Sequence, residues 1–201
     1  MITTTQRVLA GALILAAAVA STALQAPPAV AATLQPEDFT LEVFPNVTAE
    51  VEFDDDWSER RPGGRRHRGT DIKSPKGTQI VSVADGIVEE MKWHRAGGWS
   101  IEIRHADGWS THYLHLNDDN PGTNDGRGGA ETAFAAGLEE GAFVEAGRLI
   151  GFVGDSGNAE VPHTHFEIHR DGTKVNPFPY VEASWERRIR AFNKSGFLLG
   201  R

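Results

Sequence analysis

The chain has 201 residues, 39% of them apolar, and its 28 acidic against 20 basic side chains leave it near −8 at neutral pH. That length and apolar share suit one domain with its own core, and the acidic balance excludes a surface built for general adhesion to nucleic acid or anionic lipid. With no cysteine in the chain, disulfides and thiolate chemistry are excluded as well.

Near the start, Arg7 precedes an uncharged apolar run from Val8 to Ala20, and small residues follow at Ala29-Val-Ala31 and Ala32. The run is too short to span a bilayer, which takes about 20 residues, so residues 1–31 read as a secretory signal peptide. An uncleaved anchor is the alternative; after processing, no membrane span is expected.

Residues 32–60 form an acidic arm that ends in the run Asp54-Asp-Asp56 and carries Phe39, Leu41, Val43 and Phe44 partly in alternation. One strand packing on the domain is predicted there, and the arm is a candidate to cover part of the functional groove. The stretch from Glu59 to Arg68, rich in Arg, Gly and Pro, has the composition of a loop. Its arginines (Arg60, Arg61, Arg65, Arg66 and Arg68) either attract carboxylates or balance Asp54 to Asp56.

Residues 61–182 read as the main domain. Thr78–Val83, Gly86–Met91, Trp99–His105, Trp109–Leu116, Phe143–Val144, Leu149–Val153 and His165–His169 are short β-type runs separated by turn signals. Ala106-Asp-Gly108 predicts a hairpin between the third and fourth of these. No window from Thr70 to Pro179 sustains helical period over three turns. The polar, glycine-rich stretch from Asn117 to Gly129 is predicted to be an exposed loop, of a kind that is often functional. In residues 183–201, Trp185, Ile189 and Phe192 recur at helical spacing among basic residues, which predicts a short amphipathic helix docked on the domain. A monomer is expected.

The chemistry-bearing residues are histidines. His163 and His165 lie two apart in a strand-like run and so share one face, with Phe166 and Ile168 on the other. His67 and Asp71 are four apart, with Gly69 between them to let the backbone bend. Imidazole and carboxylate together are donors that zinc accepts, although His67 and Asp71 taken alone are better explained as an ion pair. In Thr111-His112-Tyr113-Leu114-His115-Leu116, a regular strand puts His115 on the face of Tyr113 and His112 on the other. His94, His105 and His169 show no comparable pattern and are predicted at the surface, His169 with the reservation that it shares a face with His165.

Together these motifs resemble the lysostaphin-like (LytM-like) zinc metallopeptidases, which cut peptides of bacterial peptidoglycan. The resemblance runs from about His67 to Tyr180 through His67-Arg-Gly-Thr-Asp71-Ile72, Gly77-Thr78, Ala84-Asp85-Gly86, Tyr113-Leu-His115-Leu116, Gly151-Phe-Val-Gly154, Ser156-Gly157, His163-Thr-His165-Phe-Glu-Ile168 and Val175-Asn-Pro177. It implies a mainly β single domain of antiparallel strands, a duplicated hybrid motif of the barrel-sandwich type, with a groove holding one Zn2+. It further implies His67, Asp71 and His165 as metal ligands, His163 and His115 as an unligated catalytic pair, and peptidoglycan peptides as the partner. On this reading Tyr113 is a lesser candidate for oxyanion support, residues 117–140 are an insertion along one wall of the groove, and Thr164 points away from the ligands. A non-catalytic module of the same fold is the rival class.

Overall fold

The computed structural model describes residues 39–199; the predicted signal peptide lies outside them. Within them the chain is mainly β and entirely antiparallel. The strands are β1 (Thr70–Lys73), β2 (Gln79–Val81), β3 (Gly86–His94), β4 (Gly98–Arg104), β5 (Trp109–Leu116), β6 (Phe143–Val144), β7 (Leu149–Phe152), β8 (His163–Arg170) and β9 (Thr173–Val175). The helices are the single turn α1 (Ala130–Ala133) and α2 (Phe178–Leu199).

The large sheet runs β1-β8-β5-β4-β3-β6, and β2 pairs with β7 in a separate two-stranded ribbon. One edge of β8 is shared: β1 covers His163–Phe166 and β9 covers Ile168–Arg170. The predicted hairpin between β4 and β5 is present.

Alternation sends Ile101, Ile103, Thr111, Tyr113, Phe166 and Ile168 to one face, where they are fully buried with Ile72, Ile80 and Ile150. Each such large side chain contributes about 1.5–3 kcal/mol by leaving water. The other face of β4, β5 and β8 forms the floor of a groove that carries the histidines.

The arm differs from its prediction. Instead of a strand it makes isolated bridges, Asn46 to Ile80 and Glu52 to Lys73, and buries Leu41 and Phe44 in the core. Phe44 and Phe53 pack against Trp185 of α2, while Arg187 and Arg188 donate to the Leu41 and Asn46 carbonyls.

The C-terminal helix is longer than predicted and begins at Phe178. Asn176 Oδ1 accepts from the Phe178 N–H at 3.0 Å. Pro179 falls in the first turn, where a missing N–H breaks no helical bond. Trp185 docks, whereas Ile189 and Phe192, predicted to share its apolar face, are exposed. No described helix is long and apolar enough to cross a membrane.

Candidate metal centre

Three donors from two adjacent strands and the preceding loop converge. Asp71 on β1 is the register partner of His165 on β8, so both side chains rise from one face side by side. His165 Nδ1 lies 2.8 Å from Asp71 Oδ1. His67 Nε2 is 3.0 Å from that oxygen and 3.0 Å from His165 Nδ1.

The far nitrogen of each imidazole meets a carboxylate. His67 Nδ1 donates to Asp56 Oδ2 at 2.9 Å, and His165 Nε2 donates to Glu167 Oε1 at 3.1 Å. In the neutral imidazoles these partners fix the tautomers whose lone pairs sit on the two converging nitrogens, so an ion that binds there displaces protons. Such outer carboxylates are the usual supports of metal-binding histidines. Arg61 Nη2 holds the second oxygen of Asp71 at 3.0 Å and also Asp56 at 2.7 Å, which leaves Oδ1 to point at the imidazoles.

The electrostatics favour a cation here. Burial works against charge on His67, but Asp56 and Asp71 outweigh it and hold its pKa up at about 9. Burial likewise opposes charge on Asp71 and Glu167, yet their histidine neighbours hold both carboxyls well below the usual range. A field that favours protons on imidazoles favours a dication among them. Imidazole, imidazole and carboxylate form a set that zinc accepts while keeping a position open, so the residues fit a catalytic metal.

Gly69 matters for a reason beyond bending. A Cβ there would sit 2.6 Å from His165 Cε1 and Nε2 and 2.8 Å from the Phe166 carbonyl. Only hydrogen lets the loop carrying His67 approach the His165 ring.

Two further imidazoles face the centre. His163 Nδ1 donates to the Val161 carbonyl at 2.8 Å, and its Nε2 is 3.6 Å from Asp71 Oδ1. His115 Nδ1 donates to the Ser156 carbonyl at 2.8 Å; its ring centroid is 4.7 Å from that of His163. Burial lowers both pKa values, that of His115 to about 4, so both are neutral at pH 7 with Nε2 bare.

His115 reaches this groove by breaking the predicted alternation. Its φ is +60°, and between the pairs Ile101–Tyr113 and Trp99–Leu116 the strand β5 carries an extra residue. Leu114 and His115 therefore both turn to the groove, while Tyr113 is fully buried on the opposite face. Tyr113 is thus no oxyanion group: its hydroxyl accepts from the Val83 N–H at 3.1 Å and contacts Thr111 Oγ1. Holding a non-glycine residue in the left-handed region costs on the order of 1 kcal/mol or more, and such strain gathers at functional sites.

Two other surface assignments are corrected. His105 is buried, with Nδ1 2.8 Å from the Asp85 carbonyl and Nε2 2.8 Å from Thr111 Oγ1. His169 is half-buried on the groove face and stacks on His112. Arg61 does balance Asp56, one of the two readings of the arginine-rich loop, but nothing in the sequence points to their support of Asp71 and His67; Glu167 carries no expectation either, although a carboxylate two residues beyond His165 on the same strand face is a signal for it. The stretch after His115 is exposed over residues 120–127, as expected, and is anchored at buried Asp119, 2.6 Å from Lys76 Nζ. Thr164 lies in the core, away from the ligands, as expected.

The model of peptidase family M23 matches residues 65–126 and 129–177, more than half of the chain. The chain belongs to peptidase family M23. The M23 match breaks only inside the stretch after His115, so most of that apparent insertion lies within matched segments. An L-Ala–D-Glu endopeptidase of Bacillus subtilis is 32% identical over 154 residues, 70% of this chain and 42% of that protein. The murein hydrolase activator EnvC of Escherichia coli is 30% identical over 125 residues, 62% of this chain and 26% of its own. A zinc-containing peptidase from Vibrio cholerae superposes with a TM-score of 0.52 at 25% identity, over 67% of this chain and 38% of that one. This M23 chain spans less than half the length of these relatives.

Proposed function

We propose that this chain is a secreted zinc metalloendopeptidase that hydrolyses peptide bonds of bacterial peptidoglycan. One observation carries the reading: three donors converge with each imidazole's far nitrogen on a carboxylate, and two unligated neutral imidazoles face them. Membership of family M23 and the named activity of the Bacillus subtilis relative support peptidoglycan peptides as substrate. The apolar run from Val8 to Ala20 supports export.

His67 Nε2, Asp71 Oδ1 and His165 Nδ1 would hold the ion. When bound, zinc supplies Lewis acidity towards a peptide carbonyl and lowers the pKa of water towards neutrality. His163 Nε2, with its lone pair free and its ring fixed through Nδ1 on Val161, accepts the proton of the attacking water. Asp71 Oδ1, 3.6 Å away, steadies the imidazolium that forms. That proton then goes to the leaving amine. His115, fixed by the Ser156 carbonyl, stands on the other side of the centre; neutral with Nε2 bare, it accepts a hydrogen bond from the attacking water and orients it. The two histidines present the same bare atom, so their roles are interchangeable in principle, and proximity to Asp71 favours His163 as base.

Metal analysis and digestion of purified cell walls test this on the wild type and His165→Ala. The wild type should hold one tightly bound zinc and release new amino termini, and the variant should do neither. A wild type that holds no zinc and releases no amino termini overturns the reading. The similarity to EnvC supports a second reading, a hydrolase-activating module, in which digestion appears only when a separate hydrolase is added. That all five metal and catalytic positions are filled here favours the enzyme.

A further inference from the structure

Two residues along β8 from His165, the same face carries a second set of donors. We infer that His112, Glu167 and His169 form a second, weaker site for a transition-metal dication, joined to the first through the Glu167 carboxylate. Their donor atoms lie within 4.8 Å of one another. The inference concerns ion binding and stands whether or not the chain hydrolyses peptides.

Register builds the cluster. Glu167 is the partner of His112, and His112 is the partner of Glu102, so a row of carboxylate, imidazole and carboxylate crosses β4, β5 and β8. His169 is the next groove-facing residue on β8. Glu167 is nearly buried; its Oε1 accepts from His165 and its Oε2 accepts from His169 Nε2 at 2.7 Å. His112 Nε2 lies 3.2 Å from Glu102 Oε1, which puts a fourth donor within reach.

Two imidazoles and a carboxylate repeat the donor chemistry of the first centre and suit zinc, copper or nickel over calcium or magnesium. A cavity of about 350 Å³ opens on the cluster, lined in part by Glu90, Lys92, His94 and Glu102, and gives an ion a path from solvent.

Three features make this site the weaker. Lys174 Nζ occupies Glu167 Oε1 at 2.6 Å and repels a dication. Lys92 adds a second positive charge in the wall. The His112 and His169 rings stack at 3.9 Å with 16° between planes, so one ring must rotate before both nitrogens meet one ion.

Titration of the full chain with Co2+, followed by its visible absorption and by bound metal after gel filtration, tests the site. The wild type should take up two ions per chain in two steps. His165→Ala should keep only the weaker step, and His112→Phe and His169→Gln only the tighter one. Lys174→Ala should tighten the weaker step by about tenfold, the scale of removing one like charge from a partly exposed site. Uptake of a single ion by the wild type up to about 1 mM free metal, or a second step unchanged in both His112→Phe and His169→Gln, overturns the inference. Loss of only the tighter step throughout would count against the proposed zinc peptidase, not against this site.

Discussion

The two halves of β8 share one face and one alternation, yet they differ in what lies at their edge. Beside His163 and His165 runs β1, whose Asp71 adds a carboxylate. Beside His169 runs β9, whose Lys174 adds an ammonium. Glu167 sits between and touches both halves. The histidines are alike; the edge strand decides whether the cluster invites a dication strongly or weakly. Loop contributions reinforce the difference, since Asp56 and Arg61 support only the first half.

The largest expected effect comes from breaking the strong half. Asp71→Ala removes a donor shared by both imidazoles, and cell-wall digestion should fall by at least about a thousandfold, because metal activation is worth several kcal/mol; turnover assays with a zinc content check it. Asp56→Ala leaves every donor in place but frees the His67 ring. A drop of about 10–100-fold in zinc affinity is expected, by competition with a chromogenic chelator. Gly69→Ala should act in the same direction by pushing the His165 ring aside, at a cost of about 1–3 kcal/mol in stability, read by denaturant unfolding.

Away from both halves, His105 offers a control for pH. Burial lowers its pKa from the ordinary 6.5, so below that pH the unfolded chain binds more protons than the folded one. Stability is therefore full above about pH 6.5 and falls on acidification. Thermal melts between pH 7.5 and 5 should show this slope, and His105→Gln should lessen it, with the buried His112, His115 and His163 keeping the remainder. The smallest effect is expected at Thr164, whose buried hydroxyl has no hydrogen-bond partner. Thr164→Val should be neutral or slightly stabilising by the same melts.

Sequence made the strand series and the four residues His67, Asp71, His163 and His165 legible, because alternation and short spacing survive in a linear reading. It named His115 but misplaced its neighbours for a physical reason: a left-handed residue in a bulge reverses the face count, so His112 shares the groove with His115 and Tyr113 does not, and nothing local in Tyr113-Leu-His115 announces it. The pairing of β2 with β7 was hidden because it depends on long-range packing, and the reach of Asp56 and Arg61 to His67 and Asp71 because it depends on how an irregular loop folds back. His105 looked like surface because a lone histidine gives no sign of the two partners that satisfy it.

The central claim is a division of labour at the strong half: His163, though next to a ligand along the chain and 3.6 Å from Asp71, does not bind the metal. Zinc content measured alongside cell-wall digestion on His163→Ala tests it most directly. The account predicts a variant that keeps its tightly bound zinc and loses hydrolysis; a variant that loses that zinc, or that digests as the wild type does, would contradict it.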